Sequence, residues 1–246
     1  MSKAASLKQR IREGEIIVAL RVSIDTGRGQ LEEDLGRGEY DLIYLDGQHT
    51  AFSDDKLVAF CAMAEDLGLP VQFRLPHTRH TYLIGRYLDL GPLGILVPEV
   101  VNEATVDEAI DFFYYPQVGH RSWGGVARHG LQARGGQVDR LEYAAWWNES
   151  AVLGIQLESV AAISRAAQLA KAGVDYVAFG PNDLNFSLEG HPEYPLRTVD
   201  ECMRNVAAQL KGSGVRLGMA VITEPAERDK YLEMGLTIFQ ETPRAG

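Results

Sequence analysis

The sequence predicts a (β/α)8 barrel, and three observations carry that prediction. Eight short apolar, β-branched-rich runs recur along the 246 residues, each followed by a stretch with helical spacing. Strands separated this regularly by helices pair in parallel, because a parallel neighbour is reached through a crossover and not through a hairpin. Several of the runs end in glycine or in a charged side chain, which is how barrels build the face that carries their chemistry. No Pro/Gly/Ser-rich linker divides the chain, so one domain over residues 1–246 is expected.

Taken in order, Leu7 to Arg12 is a short helix, and Glu15 to Ile24, rich in Ile and Val, is the first strand. Thr26-Gly27-Arg28-Gly29 punctuates before a helix over 30–37. Asp41 to Asp46 is the second strand; Gly47 ends it and delivers Gln48 and His49. Leu57, Phe60, Cys61, Ala64 and Leu67 recur at helical spacing until Gly68 and Pro70 stop the helix. Val71 to Leu75 is the third strand and places Arg74 near its end. A helix from His80 to Leu90 leads to the continuous apolar run Gly94 to Pro98, which fits a strand buried on both faces, and Glu103 to Phe113 is again helical.

From Tyr115 through Gly136 the chain is rich in Gly, Arg and His, and it reads as a long loop over the mouth of the barrel. A helix at Leu141 to Trp147 precedes the strand Val152 to Leu157, with Glu158 at its end. Val160 to Ala172 is a helix closed by Gly173, and Asp175 to Phe179 is the sixth strand. Gly180-Pro181 then hands over to a polar loop presenting Asn182 and Asp183. A helix over 198–211, a strand over Val215 to Ile222, a helix over Pro225 to Met234 and a last strand over Thr237 to Gln240 complete the set. Gly246 follows that strand closely, so the closing helix of a standard barrel is expected to be lacking and another subunit, or another part of the chain, to cover that wall.

The formal charge of −10 excludes a nucleic-acid or anionic-membrane surface, which requires a cationic field. Cys61 and Cys202 sit in helical patterns, so neither a disulfide framework nor a cysteine metal site is expected. The opening lacks the apolar core of a signal peptide and no run is long enough to span a bilayer, which predicts a cytoplasmic protein.

The candidate functional residues fall at different strand ends: Asp46 and His49 after the second, Arg74 on the third, Glu158 on the fifth and Asp183 after the sixth. Two carboxylates at two strand ends suit a hard divalent cation, which uses one or two carboxylates and keeps other positions for water or substrate oxygens. Each acid could instead cap the helix that follows it. Asp46 stands three residues before His49, where its carboxylate is expected to orient the imidazole. Arg74 either pairs with a core acid or stabilises an oxyanion or enolate. Trp146-Trp147 and Phe112 to Tyr115 are expected to pack.

In their order and spacing, Tyr40 to His49, Phe73-Arg74, Leu88 to Gly91, Leu96 to Pro98, Tyr115-Pro116 with Gly119 and Arg121, Gln156 to Glu158 and Gly180 to Leu184 resemble the HpcH/HpaI aldolases, class II pyruvate aldolases typified by 4-hydroxy-2-oxoheptanedioate aldolase. The resemblance implies a barrel of the phosphoenolpyruvate/pyruvate-domain type, a carbon–carbon lyase acting on a 2-oxo acid and an aldehyde. It further implies Glu158 and Asp183 as ligands of Mg2+, Mn2+ or Co2+, with the metal chelating pyruvate. His49 oriented by Asp46 would be the acid/base and Arg74 the enolate-stabilising cation. Gln156, Arg121 and the Asn182 and Asp183 amides would contact substrate, and Asp89 would reach a neighbouring subunit's site. A homo-oligomer is implied, dimer-based and up to a hexamer. Gln48 stands where the family usually has Glu, and Ser122-Trp123 follow Arg121 where it usually has Gly, reshaping the aldehyde side. Oxaloacetate decarboxylation on the same site, and a non-catalytic relative that binds a 2-oxo acid, are the alternatives.

Overall fold

A computed structural model of the chain describes residues 6–244. Its elements are α1 (Leu7–Glu13), β1 (Ile17–Arg21), α2 (Arg28–Leu35), β2 (Leu42–Asp46), α3 (Asp54–Asp66), β3 (Val71–Arg74), α4 (Ile84–Leu88), β4 (Gly94–Val97), α5 (Glu103–Phe113), α6 (Arg140–Ser150), β5 (Val152–Leu157), α7 (Val160–Ser164), α8 (Ala166–Leu169), β6 (Tyr176–Phe179), α9 (Pro181–Glu189), α10 (Val199–Gln209), β7 (Arg216–Ile222), α11 (Arg228–Glu233) and β8 (Leu236–Glu241). The eight strands pair in parallel in sequence order, and β8 closes on β1 with Ile17 opposite Ile238 and Leu20 opposite Glu241.

Alternation along the strands divides the core in two. Leu20, Ile43, Leu45, Phe73, Ile95, Ile155 and Val177 point outward and pack beneath the helices. Ile17, Ala19, Leu42, Tyr44, Leu96, Tyr176 and Ala178 fill the barrel interior. Arg21, Asp46, Arg74 and Gln156 share the parity of interior residues, and so the upper layer of the interior is polar. The lower end is closed by α1, whose Leu7 and Ile11 meet Ile17, Leu42, Val152 and Tyr176. Lys8 ties that plug in place: its buried ammonium donates to the Tyr114 hydroxyl (2.7 Å) and to the Ala151 carbonyl (2.9 Å), and it lies 3.2 Å from Asp175. Burial lowers the lysine's pKa and raises that of Asp175 against their mutual attraction.

Side-chain caps set several helix starts: Ser53 for α3, Asn102 for α5, Asp139 for α6, and a Thr198/Glu201 capping box for α10. Four local expectations are corrected. Residues 78–90 form a 3-10 segment, Thr78–Leu83, ahead of the short α4. The helix expected over 160–172 is two, α7 and α8, broken at Arg165. The 225–234 helix begins as a 3-10 turn, Pro225–Glu227. The polar loop expected after Gly180 is α9, and Pro181 occupies its first turn, where a fixed φ and a missing N–H suit helix initiation.

The segment 115–136 also differs from a loop over the mouth. Arg121 is buried between the Tyr115 and Trp147 rings, 4.6 and 4.3 Å from their centroids. Arg128 lies over Trp123 and Tyr143, and the Gly130 N–H donates to Glu65 of α3 at 2.9 Å. These contacts lay the segment against the outer helices, because its arginines find aromatic faces there. The Trp146-Trp147 and Phe112 to Tyr115 aromatics pack as expected, Trp147 fully buried against Phe113, Tyr115 and Tyr143. Beyond β8, residues 242–244 form no helix. Among the described residues, no helix is long and apolar enough to cross a membrane.

Candidate active site

The register of β2 and β3 sets Asp46 opposite Arg74, both on the inner face at the C-terminal end. Their side chains form a bidentate pair, Nε to Oδ1 at 2.8 Å and Nη2 to Oδ2 at 2.6 Å, and both residues are buried. Arg21 from β1 adds a bond to Asp46 Oδ2 at 2.8 Å. Burial alone would push the Asp46 carboxyl up; the hydrogen bonds and charge of Arg74 hold it below the usual carboxylate range.

Asp46 Oδ1 also accepts the backbone N–H of Gln48 (3.0 Å) and of His49 (3.4 Å). The aspartate thus shapes the turn that carries His49 and does not hold its imidazole, because both of its oxygens are occupied by arginine and backbone donors. His49 is exposed at the mouth, and among the described residues its ring makes no hydrogen bond. Gly47 permits this turn to lie flat on β3: a Cβ there would sit 2.4 Å from the Phe73 ring and 2.7 Å from the Arg74 carbonyl oxygen.

From β5, Gln156 accepts a hydrogen bond from Arg74 Nη1 at 3.4 Å and donates from Nε2 to Glu158 Oε2. Glu158 Oε1 accepts the Glu99 backbone N–H at 2.7 Å. Burial, reinforced by the charges of Asp183 and Glu99, pushes the Glu158 carboxyl up to about 7, against the Glu99 amide and Arg74. Asp183 stands exposed in the first turn of α9, with Asn182 beside it. Gly180 between them is required by space, since a Cβ would lie 2.4 Å from Glu158 Oε2 and 2.6 Å from Gln156 Nε2.

The strands therefore bring Asp46, Arg74, Gln156, Glu158 and Asp183 to one mouth, with His49 at its edge. Arg121 and Asp89 lie elsewhere. They pair with each other at 2.8 Å, Asp89 standing between α4 and the start of β4 at the opposite end of the barrel, its carboxyl raised by burial. Trp123 packs tilted against Tyr115 and edge-on to Tyr143, away from the mouth. Sequence reasoning missed three participants. Arg21 ends a strand as Arg74 does and carried that signal. Gly180 was legible as a strand-ending glycine before proline, but its steric role was not. Glu99 gave no signal, because its part is played by a backbone amide. Among the described residues, no three His, Cys, Asp or Glu side chains converge to enclose a metal by themselves.

A closed parallel barrel with a buried acid, a paired arginine and a helix N-terminus at its C-terminal mouth is the site architecture of a (β/α)8 enzyme. The model of the HpcH/HpaI aldolase/citrate lyase family matches residues 27–242, and the chain belongs to that family. Over 236 residues it is 31% identical to 2-keto-3-deoxy-L-rhamnonate aldolase of Salmonella gallinarum, covering 93% of this chain and 83% of the relative. The crystal structure of an HpcH/HpaI aldolase from Desulfitobacterium hafniense superposes with a TM-score of 0.82 at 25% identity, covering 97% of this chain and 91% of that one. The citrate synthase SbnG shares the fold, with a TM-score of 0.78 at 21% identity, covering 97% of this chain and 91% of that one.

Proposed function

We propose that this lyase is a divalent-metal-dependent aldolase that cleaves, and in reverse forms, a 4-hydroxy-2-oxo acid, giving pyruvate or a related 2-oxo acid and an aldehyde. The observation that carries the reading is Glu158, a buried carboxyl raised to about 7 beside the charges of Asp183 and Glu99. A carboxylate withdrawn from water and set near other carboxylates favours a shared cation. Glu158 and Asp183 fit Mg2+, Mn2+ or Co2+, which need only one or two carboxylates from the protein. When bound, such an ion supplies Lewis-acid stabilisation of negative charge developing on a 2-oxo oxygen.

The chain's own residues account for the rest. Arg74, locked by Asp46 through Nε and Nη2, keeps Nη1 toward Gln156 as a fixed cation for an enolate oxygen. Gln156 bridges that cation to Glu158 and sets the spacing between them. The Asn182 and Asp183 amides, in the first turn of α9, suit the substrate carboxylate. In cleavage a base removes the 4-hydroxyl proton, the C3–C4 bond breaks and the aldehyde leaves. The electron pair remains on the 2-oxo acid as an enolate, which is protonated at C3. His49 is the acid/base group of this proposal. Asp89 and Arg121 take part only if a second copy brings that end of the barrel to a mouth, so a homo-oligomer belongs to the proposal.

The test is exchange of pyruvate C3 hydrogens for deuterium, followed by NMR with and without Mg2+ or Mn2+, on wild type and His49→Ala. Metal-dependent exchange that disappears in the variant is expected. Absence of exchange with every metal overturns the reading in favour of a binding protein, and oxaloacetate consumption without aldol cleavage reassigns it to a decarboxylase.

A further inference from the structure

Glu99 has φ +53°, a left-handed backbone that among the described non-glycine residues only Gln117 shares. For glutamate that conformation costs roughly 1 kcal/mol or more and persists only where the surroundings impose it. Both ends of the residue are held. Its N–H donates to Glu158 Oε1 at 2.7 Å, and its carboxylate receives Gln48 Nε2 at 3.3 Å and faces His77 Nε2 at 3.5 Å. His77 Nδ1 accepts the Arg79 N–H at 2.9 Å, which leaves the ring proton on Nε2, toward Glu99.

The loops after β2, β3 and β4 thus deliver an amide, an imidazole and a carboxylate to one arc of the rim beside Glu158. The His77 and Glu99 side chains are 49% and 46% exposed, so the arc opens to solvent beside the buried Glu158. The Gln48 side-chain oxygen is buried behind it, without a hydrogen-bond donor among the described residues. Arg21 and Arg74 are both committed to Asp46. The three side chains of the arc therefore present one carboxylate, a neutral imidazole donor and an amide, with a net negative charge.

We propose that Gln48, His77 and Glu99 form the specificity-determining subsite for the aldehyde half of the substrate, accepting a neutral, hydroxyl-bearing aldehyde and rejecting one that carries a carboxylate. The inference rests on the aldolase reading. A substrate hydroxyl donates to the Glu99 carboxylate, which Gln48 Nε2 holds, and accepts from His77 Nε2. A substrate carboxylate meets a like charge, worth about tenfold in rate across about 6 Å at an effective dielectric near 40.

The experiment compares kcat/KM for addition of pyruvate to glycolaldehyde and to glyoxylate, which are of similar size and differ in a hydroxyl against a carboxylate, in wild type, Glu99→Gln and Glu99→Asp. Wild type favours glycolaldehyde. Glu99→Gln shifts the ratio about tenfold toward glyoxylate, and Glu99→Asp restores the wild-type preference. Any common damage to Glu158 lowers both rates and cancels in the ratio. A ratio unchanged in Glu99→Gln, or a wild type that prefers glyoxylate, overturns the subsite. Pyruvate C3 exchange in wild type requires no aldehyde: its absence sinks the aldolase reading, whereas exchange with an unchanged ratio sinks the subsite alone.

Discussion

Replacing Asp46 by Asn tests whether the polar layer at the barrel mouth is held by one ion pair. Asp46 and Arg74 are 6% and 4% exposed, joined by bonds of 2.8 and 2.6 Å. An asparagine keeps the shape, offers one acceptor in place of two, and leaves a buried guanidinium without its counter-charge. Removing one partner of a buried pair costs about 3–5 kcal/mol. Arg74 retains its contact to Gln156, so the lower end of that range, about 3 kcal/mol, is expected. For a chain of this length that lowers Tm by about 6–12 °C. Urea denaturation at pH 7 measures the loss directly, and the double variant with Arg74→Gln recovers part of it, giving a coupling energy of about 2 kcal/mol. The pH dependence fixes the sign. The Asp46 carboxyl is depressed in the folded state, so its contribution is present above the unfolded value near pH 4 and is lost as pH falls through the folded value. Wild type and variant should therefore converge in acid. A loss below about 1 kcal/mol at pH 7 would mean the pair behaves as an exposed one and would refute the reasoning.

Glu158 predicts the opposite slope: metal-free wild type loses stability as pH rises from about 4.5 toward about 7, because the folded protein holds a proton that the unfolded chain releases. The fall is at most about 3 kcal/mol and is absent in Glu158→Gln; parallel melting curves for the two proteins across that range would contradict it. Mn2+ added to chelator-treated protein at about 100 times Kd raises stability by about 2.7 kcal/mol in wild type and not in Glu158→Gln/Asp183→Asn, measured by thermal shift. Gly180→Ala drives a methyl into Glu158 and Gln156, so activity falls by about 100-fold or more while stability drops by only about 1–3 kcal/mol; a fully active variant would show that this spacing is not needed. Lys8→Met strands Asp175 beneath the barrel and costs about 3–5 kcal/mol, much of which Lys8→Met/Asp175→Asn restores in the same urea assay.

The barrel and its strand order were legible in the sequence because they rest on local periodicity: each strand is a short apolar run and each crossover an amphipathic stretch. Asp46, Arg74, Glu158 and Asp183 were legible for the same reason, since a residue at the end of a parallel strand lands at the mouth whatever its neighbours are, whereas Gln156 was legible only through the family resemblance. What the side chains do there was decided by tertiary contact. Asp46 precedes His49 in sequence, yet the parallel register sets it opposite Arg74, and a guanidinium with two matched donors outcompetes an exposed imidazole for its oxygens. The segment 115–136 carries no periodic signal; its arginines settle on the aromatic faces of the outer helices, which exist only once those helices have packed. Glu99 acts through a left-handed backbone amide aimed at Glu158, and a backbone direction leaves no mark in the identity of the residue. Periodicity and strand ends are local properties, written residue by residue in the chain; pairing, burial and backbone aim arise between segments distant in sequence and are fixed only when the barrel closes.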